Sequence, residues 1–317
     1  MAATREAVSP FPTLARLVAP LGLDEFLRDY YDQQAIHLPG AAARVRDLLS
    51  HERLSALLRQ SEQARGQVFS FPCAVGDEDD PVAAYLDAGY PIIWNAARGV
   101  TPEIDRVCAD LGAALQAHVW PNVYATGTAG APLNMHFDPH EVLVVQCEGE
   151  KEWRISSLRA NRPLDVEEMR ATNSAAVEAT REQALANISM TFTVKPGDVV
   201  YIPRGQFHVA TTPRGRSLHV TFAIRQLAGY DLAKALGRLA LSDPRLRDYL
   251  PLPLADPDGT RAALCLAEFK GRLRELLDGP QFDQTLAAVR AELIARSNGT
   301  GKAQTQVAAP FVKGSTR

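Results

Sequence analysis

Two histidines and one aspartate carry the chemistry that this sequence can support. His136 and Asp138 stand two apart in Asn134-Met-His136-Phe-Asp138-Pro-His140. On an extended strand alternate residues point to the same face, so the imidazole and the carboxylate project side by side and Phe137 faces away. One more imidazole completes a two-histidine, one-carboxylate set, which suits Fe(II) and leaves coordination positions open for oxygen chemistry. An isolated His-x-Asp pair arises often by chance, so the third member has to be argued from its own context. His208 is the candidate. Thr191-Phe-Thr-Val-Lys-Pro-Gly-Asp-Val-Val-Tyr-Ile-Pro203 reads as strand, Pro-Gly turn, strand and loop, a hairpin able to carry His208 back over the sheet that bears His136.

The elements that must position this set follow from pattern. Val142-Leu-Val-Val-Gln-Cys147 is too apolar for a one-sided surface strand and reads as a central one. Glu148-Gly149-Glu150 makes a turn, and Lys151-Glu-Trp-Arg-Ile155 is the return strand. A lysine there is ordinarily a surface residue, but its four-carbon stem can carry the ammonium inward to a carboxylate. His140 would share the face of His136 and Asp138 only if the strand stayed extended, and Pro139 bends it out of the set. His219 reads as a hydrogen-bonding group behind a ligand. His37 reads as structural. Residues 157–188 are polar and Ala/Glu-rich, an insertion with some helix that lies outside the core and could border the mouth of the site. Upstream, Asp24 to Tyr31 reads as a short helix with Asp24 near its cap. Gln34 to Gly40 reads as an edge strand, Tyr90 to Asn95 as a buried strand, and Thr101 to His118 as a helix with one apolar face.

From about residue 227 strands give way to amphipathic helices. Leu232, Leu236 and Leu239 share a face, Leu264, Phe269, Leu273 and Leu276 follow after Thr260, and then come Phe282, Leu286, Val289 and Leu293 at spacings of four, three and four. Such stripes are first of all a core, yet a helical unit this small can need a second copy to cover its surface.

The motifs resemble the JmjC-type cupin hydroxylases, and within them the ribosomal oxygenases, which hydroxylate histidine or arginine in ribosomal proteins. The resemblance rests on Pro121-Asn-Val-Tyr-Ala125, His136-Phe-Asp138, Val142 through Ile155, Lys195 through His208 and Ser217-Leu-His-Val-Thr221, in that order, and it extends over residues 10–298. It implies a mainly β fold with α elements: a double-stranded β-helix, the jelly roll of the cupin/JmjC class, with N-terminal helices and a C-terminal helical domain. It implies Fe(II), with 2-oxoglutarate and O2 as co-substrates. His136, Asp138 and His208 match the metal-binding and catalytic positions. Lys151, fifteen residues after His136, matches the partner of the distal carboxylate of 2-oxoglutarate. Thr221 matches a further co-substrate contact, and Asn122 and Tyr124 match substrate-pocket positions. Histidine-hydroxylating members carry serine where this chain has Ala223, which weakens a histidine target. The domains implied are 1–226, catalytic; 227–298, helical and dimerising; and 299–317, a tail too short for the winged helix that the family adds there. A homodimer is expected. The substrate expected is a protein or peptide. A ribosomally made peptide or small natural product is the alternative, and a non-catalytic cupin binding protein is the reading from another class.

Composition sets the outer bounds. The 317 residues are 46% hydrophobic and 22% charged, ordinary for a globular protein, with a net charge of −3 that argues against a general nucleic-acid binder. The start of the chain lacks the apolar run of a signal peptide, and no stretch approaches the roughly 18 apolar residues of a membrane span. Cys73, Cys108, Cys147 and Cys265 are scattered without a CxxC pair and read as reduced thiols. A cytoplasmic protein with no direct nucleic-acid or membrane partner is expected.

Overall fold

The computed structural model describes residues 11–42, 46–60, 68–69, 80–128 and 134–298. Cys73, the acidic run before Asp80, most of the loop before Asn134 and the tail after Asn298 lie outside the described residues. The strands are β1 (Ile36–Leu38), β2 (Val68–Phe69), β3 (Ile92–Trp94), β4 (His118–Gly127), β5 (Glu141–Glu148), β6 (Lys151–Arg159), β7 (Ile188–Val194), β8 (Val199–Ile202), β9 (Gln206–Thr211) and β10 (Arg216–Arg225). The helices used below are α1 (Pro12–Leu17), α2 (Leu23–Glu25), α3 (His51–Gln60), α4 (Pro81–Asp87), α5 (Pro102–Leu115), α6 (Arg170–Ala186), α7 (Gly229–Ser242), α8 (Thr260–Asp278) and α9 (Pro280–Ser297). Among the described residues no helix is long and apolar enough to cross a membrane.

Two antiparallel sheets face each other. The larger runs β1-β8-β5-β10-β4-β3-β2 and the smaller β7-β6-β9. This is the double-stranded β-helix expected from the motifs. β5 lies between β8 and β10, and its first seven residues are buried, as its apolar run requires. Alternation then divides its side chains. Val142 and Val144 point between the sheets, where they meet Trp153, Ile155, Val194, Val200 and Ile202. Leu143 and Val145 point to the other face, against a larger core with Phe26, Leu54, Ile104, Leu111 and Phe222. That outer core is where the N-terminal helices and α5 are held. Thr101 caps α5 by accepting from the Ile104 N–H at 3.1 Å. Asp80 caps α4 through the Ala83 N–H. The Asp24 segment starts one step earlier than expected, with Gly22 as its cap and Asp24 in the first turn, and it runs on into a π-helical turn over Phe26–Tyr30.

Two turns differ from the sequence reading in the same way. Residues 191–202 do not form a hairpin: β7 pairs with β6 in the small sheet, and β8 pairs with β5 and β1 in the large one. The turn at Gly149 likewise carries the chain from β5 in one sheet to β6 in the other. Each is a corner. Gly149 has φ +66, and a Cβ there would sit 1.9 Å from the Arg216 carbonyl oxygen, so only glycine fits. At the other corner Asp198 accepts from the backbone N–H of Lys195 and of Gly40 and pairs with His37 at 2.9 Å. His37 is thus structural, as expected.

The C-terminal helices are tied back to the sheets. Ser297 at the end of α9 is fully buried; its hydroxyl accepts from the Val119 N–H at 2.7 Å and donates to the Ala117 carbonyl, while Arg98 holds its carbonyl. α8 differs: no residue on it is buried, and Leu264 is 62% exposed. Of its apolar stripe, Phe269, Leu273 and Leu276 are half-buried and only Leu264 stands exposed.

Candidate metal centre

His136 and His208 lie opposite each other in an isolated antiparallel bridge. The His136 N–H donates to the His208 carbonyl at 3.1 Å and the His208 N–H returns the bond at 2.8 Å. Two residues on, the Gly205 N–H donates to the Asp138 carbonyl at 2.7 Å. The pairing puts His136, Asp138 and His208 on one face. One ligand atom from each falls within 4.8 Å of the others, the only such His/Cys/Asp/Glu group among the described residues. His208 Nε2 stands 3.5 Å from Asp138 Oδ2.

Both imidazoles are oriented by the same device. His136 Nδ1 lies 2.7 Å from the carbonyl of Asn134, and His208 Nδ1 lies 2.9 Å from that of Gln206. We assign the proton to Nδ1 in each, which leaves the Nε2 lone pairs free toward the shared centre. Burial, followed by the neighbouring His136, lowers the His208 imidazole to about 4, so it is neutral and able to ligate at pH 7. Burial pushes the Asp138 carboxyl up, but the imidazoles of His140, His136 and His208 outweigh it and hold the group below its ordinary value. The set thus offers two ring nitrogens and one carboxylate, the donor chemistry of a facial Fe(II) site.

A cavity of about 200 Å³ opens beside these residues. Its walls include Tyr124 and Thr126 from β4, Val142 from β5, Lys151 and Trp153 from β6, and His219 and Thr221 from β10. Lys151 is 4% exposed, and its ammonium donates to Thr126 Oγ1 at 2.8 Å. No carboxylate among the described residues meets it, and burial lowers it to about 7. Two more polar atoms in the cavity wall, Trp153 Nε1 and His219 Nδ1, are buried without a hydrogen-bond partner. Buried polar groups are normally paired. A buried ammonium and two unpaired ring nitrogens around one cavity fit a small dianion such as 2-oxoglutarate.

The remaining expected residues divide. Tyr124 lines the cavity, stacked on His219 at 5.0 Å, and its hydroxyl is raised by burial and by Asp138. Thr221 lines it too. Asn122 is buried on the same face of β4 but is not a lining residue; its Oδ1 accepts from the Ala96 N–H at 2.9 Å. His219, expected to hydrogen-bond behind a ligand, is buried with no hydrogen bond at Nδ1 and lines the cavity instead. His140 stays out of the metal group, edge-on to Trp120 at 4.9 Å. Thr126 and Trp153 were missed by sequence reasoning. The alternation that relates Tyr124 to Thr126 and Lys151 to Trp153 could have found both.

Residues 157–188 correct the sequence reading. They are not peripheral: α6 packs Ala176, Val177 and Ala184 against Met135, Phe137, Phe207 and Val209, the residues that alternate with the candidate ligands. Alanine-rich composition hid this because small side chains give little apolar signal, yet they let a helix approach closely.

Comparison with known proteins places the fold. Residues 95–232 match the JmjC domain family model. A protein named bifunctional lysine-specific demethylase and histidyl-hydroxylase NO66 from Drosophila persimilis is 27% identical over 287 residues, covering 84% of this chain and 39% of that one. Ribosomal oxygenase 2 from Rattus norvegicus is 28% identical over 235 residues, covering 69% of this chain and 48% of that one. The chain spans between about a quarter and a half of the length of the curated relatives it matches. Among solved structures, the ribosomal oxygenase YcfD from Escherichia coli, in complex with cobalt and 2-oxoglutarate, superposes with a TM-score of 0.59 at 14% identity, covering 92% of this chain and 74% of that one. At that identity the likeness shows the fold alone.

Proposed function

We propose that this chain, a JmjC-domain protein of cupin fold, is an Fe(II)- and 2-oxoglutarate-dependent hydroxylase of a protein side chain, with a ribosomal protein as the substrate class. The observation that supports it most is the convergence of His136, Asp138 and His208 beside a buried lysine that lacks a carboxylate partner. The relatives' names, ribosomal oxygenase and histidyl-hydroxylase, support the substrate class.

In this reading His136, Asp138 and His208 hold the iron, which when bound supplies O2 activation coupled to conversion of 2-oxoglutarate to succinate and CO2. Lys151 fixes the distal carboxylate, and Thr221 adds a second contact. Tyr124 borders the substrate side, and Asn122 supports β4 beside it. Val142 and Trp153 keep the space between the sheets dry, which strengthens the lysine–carboxylate pair. One oxygen atom is inserted into a C–H bond of the substrate. Ala223, opposite Trp120 and Val142 in the register, brings no hydroxyl to a target imidazole. This favours an arginine-type target over histidine. The exposed leucines of α8, Leu264 and Leu277 among them, support a homodimer, and the reading carries a cytoplasmic location with it.

The test has two arms. Purified protein with Fe(II) and 2-oxoglutarate should release succinate, and Asp138→Ala should not; equal release from both would reject the site. Intact-mass measurement of ribosomal proteins from a deletion strain should show one protein lighter by one oxygen than in wild type. Identical masses would remove the ribosomal substrate and leave a peptide or small-molecule target.

A further inference from the structure

We propose that α6 sets the metal affinity of the site by bracing the ligand-bearing segments from behind, with Arg181 and Val177 as positioning residues. This rests on the metal reading above and concerns residues that touch neither metal nor co-substrate.

The two segments that carry the ligands are joined edge to edge by three backbone hydrogen bonds, at His136, His208 and Gly205. β9 is anchored along β6, but the segment around His136 meets it through an isolated bridge, and so short a pairing is marginal in water without packing on one face. Its front face holds the ligands and opens on the cavity, so it supplies little apolar contact. Its back face holds Met135, Phe137, Phe207 and Val209, which are 1%, 5%, 1% and 7% exposed. α6 provides that cover together with Leu158, Ala160 and Ile188.

The helix is oriented by a single stripe. The positions that lose exposure on folding are Asn173, Ala176, Val177, Thr180, Arg181 and Ala184, spaced as one face of a helix, while the rest of α6 is exposed. The stripe also reaches the backbone next to the first ligand. Arg181 Nε donates to the carbonyl of Met135 at 3.4 Å, and its guanidinium is held at the other end by both oxygens of Glu178, at 3.0 and 2.6 Å. The fork therefore clamps the residue immediately before His136 to the helix. Metal ligands need placement to about 0.5 Å, and loss of outer contacts that hold them costs about 10–100-fold in affinity. If α6 lets go, the bridge can splay and the three donors separate while both sheets stay folded.

The experiment is titration of the metal-free protein with Co(II), followed by the cobalt absorption spectrum and by calorimetry. Arg181→Ala, and Arg181→Ala with Val177→Ala, should weaken Co(II) binding about tenfold or more and alter the spectrum, with circular dichroism unchanged. Arg181→Lys should recover part of the affinity by restoring a donor to the Met135 carbonyl. Leu185→Ala, on the exposed face of the same helix, should bind as wild type does. If Arg181→Ala, the variant least able to disturb packing, binds Co(II) within twofold of wild type, the bracing role is wrong. If wild type binds no Co(II) at all, the metal reading itself fails instead.

Discussion

Lys151 and Thr126 are joined across the two sheets: the ammonium of one donates to the hydroxyl of the other at 2.8 Å, inside the cavity beside the candidate metal centre. Thr126 Oγ1 is in turn 2.7 Å from Thr212 Oγ1. A hydroxyl pair orients the ammonium but does not neutralise it.

That arrangement predicts a pH dependence. Burial lowers the Lys151 ammonium from its ordinary 10.5 to about 7 in the folded, ligand-free protein. Between those values the unfolded chain holds the proton and the folded one has lost it. The unfolded state therefore binds more protons, and ligand-free stability should rise with pH across this window. A bound dicarboxylate favours the charged lysine, so binding above pH 7 must take up a proton. The dissociation constant for 2-oxoglutarate, measured by calorimetry, should weaken by up to about tenfold per pH unit between 7 and 9. Lys151→Arg, charged throughout, should flatten the slope. A slope of equal size in that variant would show that another group titrates.

Asn122 should behave as a structural residue as much as a pocket one. Its Oδ1 is the acceptor for the Ala96 N–H, and Ala96 is held at φ +49. Asn122→Ala should lower stability by about 1–3 kcal/mol, read as a shift in the denaturant midpoint. An unchanged midpoint with a raised KM for the protein substrate would assign it to substrate alone.

The corner at Gly149 admits no side chain. Gly149→Ala meets a positive φ and the Arg216 carbonyl together, and should cost about 2 kcal/mol or more. Because the corner delivers Lys151, any folded fraction should also bind 2-oxoglutarate more weakly. A variant as stable as wild type would mean that β10 shifts to make room.

The exposed leucines of α8 give a test of assembly. Leu264 is 62% and Leu277 44% exposed in the single chain. Sedimentation should find wild type at twice the 34.5 kDa chain mass, and Leu264→Glu with Leu277→Glu at the chain mass. A monomeric wild type would leave the exposed leucines of α8 for some other partner.

Much of the site was legible before folding because its chemistry is local. His136 and Asp138 share a face wherever the chain is extended, through the two-residue period of a strand, and the bridge to His208 keeps it extended here. The apolar run of β5 announced a central strand for the same reason, and the ligand types pointed to Fe(II) by donor chemistry alone. What stayed hidden depended on partners far along the chain. The turn before Asp198 and the turn at Gly149 each look like hairpins, since a tight turn has the same residues whether its strands pair with each other or leave for different sheets. Only the pairing of β7 with β6 and of β8 with β5 decides between them. The burial of Lys151 without a carboxylate, the backing of His136 and His208 by an alanine-rich helix, and the exposure of Leu264 on α8 are likewise properties of packing. They arise when segments far apart in sequence compete for the same volume, and a linear pattern does not record the outcome.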